Sequence, residues 1–289
     1  MSLDHADRGT TPSQVRRSTG CRLARVAPLH PRPDAANDDG SARPLGGDLL
    51  EALSRDGLSL FYQPVIDLAT GCVAGFAASL RWFHPAEGQI HPERIALAAQ
   101  EAAAADLLAI AVLAKAANTA ARWPGYGFVA VTFPVFQVGQ PYFVQTVERT
   151  LDQAGLPPSR LVVEVAGTAS VAELRHAQDA LARLRACGVM VAFGEFGHPR
   201  ADLAMLDAGV FDILNLDSSL ASDAPGGLAD AQRSAARLAR SMGMSVLADG
   251  LDTDGQVLMA RTAGCTHGRG NRLGRSLPIL ALGSVVAAG

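Results

Sequence analysis

The chain has 289 residues, enough for one large domain or two small ones, and its 48% apolar content supports a sizeable core. A net charge of −3 supplies no global positive field, so nothing argues for a nucleic-acid polymer or an anionic membrane as partner. Four cysteines, Cys21, Cys72, Cys187 and Cys265, form no C-x-x-C pair, so zinc gains little support and they read as reduced, mostly buried thiols of a cytoplasmic protein.

Residues 1–45 are rich in Asp, Arg, Pro, Ser, Thr and Gly and show little periodicity. Such a segment buries too little apolar surface to offset chain entropy, so a disordered N-terminal tail is predicted there. No apolar signal core opens the chain. The longest apolar region, 102–121, is broken by Asp106 and Lys115, so no membrane span is predicted.

A folded domain is predicted over 46–289, regular from Leu49 onward. "LSLFYQPV" and "CVAGFAASLRW" read as strands joined through "IDLATG", whose Thr70-Gly71 suits a hairpin turn; these two strands should be antiparallel. Helical patterns come next, over "HPERIALAAQEAAA" and "DLLAIAVLAKAANTAARW". After them are a strand, "FVAVTF", and a helix, "FVQTVERTLDQAG", that stops at Gly155 before Pro157. Four further strand–helix pairs complete the alternation. Their strands are "RLVVEVA", "VMVAFGEF", "DILNLD" and "SVLADG"; the helix after the second of these, "ADLAMLDAG", is short. A last strand is expected near "HGRGNRLG". Continuous Val/Leu/Ala/Ile strands suit a parallel sheet covered by helices. So many βα units predict an α/β fold, a (β/α)8 TIM-like barrel with an antiparallel first strand, over the alternative of a doubly wound open sheet.

A barrel of this kind builds its site at the carboxyl ends of the strands. Acids recur there: Glu164 in "VVEVA", Glu195 in "FGEFG", Asp217 in "LNLD" and Asp249 in "LADG". One such acid is ordinarily a helix cap or a solvated end. Four on successive strands suggest a divalent-cation site or its remnant, since Mg²⁺ and Mn²⁺ prefer oxygen ligands.

Several segments in the same order resemble one family. "LFYQPVIDLATG", "GFAASLRWFHP", "GVMVAFGEFGHPRADLAML", "FDILNLD", "VLADGLDT" and "GCTHGRGNRLGRSLP" together span about Leu58 to Pro278. They are similar to the EAL-domain phosphodiesterases of cyclic di-GMP, whose chemistry uses two divalent metals. The resemblance implies a degenerate member. The Glu of E-A-L falls on Ala77, and the family Asn ligand on Thr132. Glu164 is kept, whereas the next acid falls on Gly167. The bridging Asp of D-D-F-G falls on Gly194, and its neighbour becomes Glu195. The family Lys falls on Asn215, while Asp217 survives. The Glu of E-G-V-E-T becomes Asp249, and a late Gln becomes Arg269. Gln63 and Arg81 match positions that contact the nucleotide. Arg81 is either held by the surviving carboxylates or left for a ligand. Arg269 and Arg272 either stand in for absent metals or neutralise orphan carboxylates.

The resemblance, with these losses, implies a catalytically inactive regulator in cyclic di-GMP signalling, a nucleotide receptor or a protein-interaction adaptor. A residual metal-dependent phosphodiesterase is the alternative. No cofactor is then required, with a residual Mg²⁺ or Mn²⁺ on Glu164, Glu195, Asp217 and Asp249 as the other state. Expected ligand residues are Gln63, Arg81 and Arg269; expected partners are cyclic di-GMP and a protein. The family also implies a homodimer, although "EFGHPRADL" departs from the pairing loop at His198 and Pro199.

Overall fold

A computed structural model describes residues 44–123, 125, 127–166, 170–197, 206, 209–221 and 228–286. Apart from a few end residues, the tail predicted over 1–45 and the short helix predicted over 201–209 lie outside the described residues.

The first described element is a helix the sequence pattern concealed, α1 (Gly46–Ser54). Leu45 and Leu49 bury against Leu58, Trp82, Ile90 and Ile95. Leu45 is only 3% exposed, so it already belongs to the packed core. His84 fastens this helix to the barrel. Its Nδ1 accepts from the backbone N–H groups of Ala86 and Glu87 at 3.2 Å each, which leaves Nε2 to donate to Asp48 at 3.2 Å.

Strands β1 (Leu58–Asp67) and β2 (Val73–His84) form the predicted antiparallel hairpin. Its turn depends on Asp67 as much as on Thr70-Gly71. The Asp67 carboxylate accepts from the N–H groups of Ala69 and Thr70 at 2.8 and 2.9 Å, an Asx turn, while Gly71 takes φ +75°. The short β3 (Gly88–Ile90) extends the edge of β2. The next two elements are the predicted helices, α2 (Pro92–Glu101) and α3 (Ala105–Ala121).

The barrel proper adds β4 (Phe128–Phe133), β5 (Leu161–Val165), β6 (Met190–Phe196), β7 (Ile213–Leu216), β8 (Ser245–Ala248) and β9 (His267–Gly268). From β5 on, each pairs in parallel with the one before it, β4 pairs in parallel with β2, and β1 closes the ring antiparallel to both β2 and β9. The outer helices are α4 (Val135–Val138), α5 (Phe143–Ala154), α6 (Val171–Ala186), α7 (Leu228–Ser241) and α8 (Asp254–Ala263). Their ends obey local chemistry. Gly155 stops α5 in a left-handed conformation at φ +65°, and reciprocal capping boxes, Ser170 with Glu173 and Thr253 with Gln256, start α6 and α8. The last predicted strand is cut to two residues. Gly270 and Gly274 take φ +152° and +158°, and the chain leaves the ladder after Gly268. It then makes β10 (Leu277–Pro278) against β1 and the unforeseen helix α9 (Ile279–Val286).

Two cores result. Alternate strand residues such as Tyr62, Val131, Val163 and Phe193 pack outward on the helices. The intervening ones, Val65, Ala130, Val162, Ala192, Ile213 and Leu247, plug the barrel axis. Each fully buried Val or Leu contributes about 1.5–3 kcal/mol. Among the described residues no helix is long and apolar enough to cross a membrane. The three described cysteines are free thiols, but only Cys265 is buried, where desolvation pushes its pKa up to about 11; Cys72 is half-buried and Cys187 exposed.

Candidate functional site

Above the axial plug, the inward positions of the strands turn polar. Gln63 adjoins Val65 on the inner face of β1. Ser79 and Arg81 come after Ala77 on β2, Thr132 after Ala130, Glu164 after Val162, and Asn215 after Ile213. The mouth of the barrel is therefore fixed by strand alternation, and the predicted acids stand around it.

Their partners decide what the mouth can do. Glu164 is 5% exposed and would carry an uncompensated buried charge without countercharges. The Asn215 amide, itself 2% exposed, donates to Glu164 Oε1 at 3.2 Å. The guanidinium of Arg269 donates to Asp249 Oδ2 at 2.8 Å and stands 3.7 Å from Glu164 Oε2. Burial disfavours the Arg269 charge, but the carboxylates of Glu164 and Asp249, with a smaller contribution from Glu195, outweigh that and hold it above its ordinary range. Backbone bonds set the guanidinium in place. Arg269 N–H donates to Ala248 O at 2.9 Å, and its carbonyl accepts from Leu251 N–H at 3.0 Å. Gly270 lets the chain pass so close to Leu251, since a Cβ there would lie 2.2 Å from Leu251 N.

The other acids have separate duties. Asp217 caps the turn after β7, its Oδ1 accepting from Ser219 N–H at 2.8 Å. Asp249 Oδ1 accepts from Gly250 N–H at 2.7 Å. Glu195 occupies an irregularity in β6. The pairing with β7 slips between Phe193 and Phe196, both of which pack outward, and Glu195 takes φ +54°. The extra residue of this bulge turns Gly194 to the mouth, where a Cβ would lie 2.8 Å from Glu164 Oε1. The Glu164 side chain thus fills the room a side chain at 194 would need.

These residues do not fit a pair of divalent cations. Among the described residues no three His, Cys, Asp or Glu side chains come together as a metal-holding group. A fixed guanidinium stands between the two acids, the Asn215 amide turns a donor toward Glu164, and Ala77 belongs to the apolar plug. The structure places Glu164 and Asp249 together on Arg269 and gives Asp217 to a turn.

Of the expected ligand residues, Gln63 donates through Nε2 to Gly274 O at 3.2 Å, which ties the loop after β9 to β1. Arg269 is committed to the acids. Arg272 leaves the mouth altogether and pairs with Asp254 at 2.7 Å. Arg81 is half-buried, and among the described residues no carboxylate pairs with it and no acceptor holds its guanidinium. Asn215 escaped the sequence reading as an active part of the site. Its carbonyl oxygen is buried with no partner among the described residues, an acceptor that a water or ligand donor would satisfy. Its place one residue before the end of β7 was the available signal.

The EAL domain family model matches residues 47–276. The sequence is 32% identical over 249 residues to an uncharacterized signaling protein of Caulobacter vibrioides, covering 86% of this chain and 31% of that protein. It is 32% identical over 241 residues to the cyclic di-GMP phosphodiesterase NbdA of Pseudomonas aeruginosa, covering 81% of this chain and 31% of NbdA. The chain thus spans about a third of the length of these relatives. Among solved structures, the PaMucR phosphodiesterase in its c-di-GMP complex superposes with a TM-score of 0.77 at 27% identity, covering 82% of this chain and 99% of that one. The Xanthomonas citri FimX EAL domain in complex with c-diGMP gives a TM-score of 0.72 at 22% identity, covering 81% and 93%, a likeness of fold.

Proposed function

This chain belongs to the EAL domain family, and from that premise we propose that it is a catalytically silent regulator in bacterial cyclic di-GMP signalling, one that receives the nucleotide without cleaving it. The observation that carries the reading is the Arg269 guanidinium held by Asp249 and Glu164. Two-metal hydrolysis needs cations that clamp and activate a water and stabilise the leaving oxygen. Here a side-chain cation offsets the acids. It also lessens the repulsion that four carboxylates would exert on the phosphates of a ligand. Retained Gln63, and an Arg81 without a carboxylate partner among the described residues, support binding of an anionic nucleotide with no metal bridge. Exposed Leu107 and Ile110 on α3 and Phe136 on α4 favour a protein contact beside that role. A cytoplasmic location and a homodimer belong to the same proposal; the dimer-linked positions His198 and Pro199 lie outside the described residues.

Calorimetric titration with cyclic di-GMP tests the reading. Binding is expected with and without Mg²⁺, and no hydrolysis with Mg²⁺ or Mn²⁺. Turnover by the purified protein that vanishes in Glu164→Gln would overturn the silence; absence of binding would leave the adaptor role.

Arg81→Ala separates the polar anchor from the rest. A hydrogen bond to a charged group contributes about 1.5–3 kcal/mol, which corresponds to roughly tenfold to hundredfold weaker binding. Equal affinity of wild type and variant at constant salt would place the ligand elsewhere.

A further inference from the structure

Two phenylalanines stand on the open face of the first hairpin. Phe61 lies on the inner side of β1 with Gln63 and Val65, and Phe83 lies on the matching side of β2 with Ser79 and Arg81. Phe61 faces Ser79 across the ladder and Arg81 faces Ser59, so Phe83 lies beyond Arg81 on the far side of that row. The rings nonetheless meet across it, with centroids 6.1 Å apart and planes inclined at 46°. They are tilted, so neither ring covers the face of the other. Phe83 is 51% exposed, against 2% for its neighbour Trp82, which points to the other side into the cluster under α1.

From this arrangement, and resting on the receptor reading above, the geometry points to Phe61 and Phe83 as a stacking ledge for a guanine base of the bound nucleotide. The exposed Phe83 ring, backed by the tilted and half-buried Phe61, supplies a π-face, and the adjoining side chain is an Arg81 guanidinium with no carboxylate partner among the described residues. A purine offers both complements, a π-face for the rings and a polar edge or phosphate for the fork. An aliphatic peptide would bury the rings but leave the guanidinium unmatched. Stacking tolerates any base, so the ledge supplies affinity, and Arg81 supplies the discrimination.

The full chain is titrated with cyclic di-GMP and, in parallel, with cyclic di-AMP, as wild type, Phe83→Leu, Phe61→Leu and Phe83→Tyr. Loss of one base–aromatic stack corresponds to roughly fivefold to a hundredfold weaker binding. Phe83→Leu is expected to show it with an unchanged melting temperature, because the ring is exposed. Phe83→Tyr keeps the π-face and is expected to stay within about twofold of wild type. If cyclic di-AMP binds at all, Phe83→Leu should weaken it by a similar factor. Wild-type binding with undiminished affinity in both leucine variants overturns the ledge and leaves the receptor reading standing. Failure of the wild type to bind overturns the receptor reading and the ledge with it.

Discussion

Arg269→Met is expected to destabilise the barrel by about 3–5 kcal/mol at neutral pH, because breaking a buried ion pair from one side strands the other charge. The guanidinium is the countercharge nearest Glu164, which is 5% exposed, and it also satisfies Asp249. These contacts also set the pH dependence. The wild-type Arg269 pKa is raised by its carboxylates, so its contribution is fully present below the ordinary arginine pKa and is lost only in strong alkali. The wild-type pair is therefore constant through the neutral range as far as Arg269 is concerned. Urea denaturation of wild type and variant should show this gap unchanged between about pH 6 and about pH 8 as far as Arg269 is concerned. The double variant Arg269→Met, Glu164→Gln should recover much of the loss, as coupled neighbours do. A variant as stable as wild type at neutral pH would mean that the pair is screened by water and does not organise the mouth.

The architecture was legible because each strand carried its own evidence. Runs such as "LVVEV" bury on both faces, which only a helix-covered parallel strand requires, and the short connection "IDLATG" after Val65 allows a hairpin but no crossover. Helix α1 was not legible because Gly46 and Gly47 open it without a capping side chain, and its burial depends on Trp82 and Ile90, which come later in sequence. The last strand was overestimated because its end is set by the positive φ of Gly270 and by backbone bonds to Leu251, both tertiary facts.

The site divides in the same way. Glu164, Asp217 and Asp249 were legible as strand-end acids, since strand ends can be read from apolar runs. Which cation would serve them could not be read. Both Arg81 and Arg269 lay near the mouth in sequence terms, and only the pairing of β8 with β9 sets Arg269 beside Asp249 and leaves Arg81 to the open side. Gly194 read simply as a missing acid. The bulge at Glu195 and the filling of that space by Glu164 depend on how β6 pairs with β7, which no local pattern encodes.

That filling makes the reverse substitution informative. Gly194→Asp would bring back the acid that the family pattern expects at this position, yet it is expected to destabilise the protein by about 3 kcal/mol or more. A Cβ at 194 meets Glu164 Oε1 at 2.8 Å, Val165 O at 3.1 Å and Glu164 Cγ at 3.2 Å. Overpacking of this kind costs about 1–3 kcal/mol. The Glu164 head group has little freedom to withdraw, since Asn215 and Arg269 hold its two oxygens. Gly194→Ala isolates the steric part. The aspartate then adds a second carboxylate beside a buried one, which only protonation or a cation would relieve. Thermal melts of wild type, Gly194→Ala and Gly194→Asp, each with and without Mn²⁺, separate these contributions. The expected order is wild type, then Gly194→Ala, then Gly194→Asp, with no stabilisation by Mn²⁺, because Arg269 still occupies the mouth and Ala77 still supplies no ligand. Stabilisation of Gly194→Asp by Mn²⁺ would show instead that one carboxylate is all the site lacks, and would move the proposed function back toward metal-dependent hydrolysis.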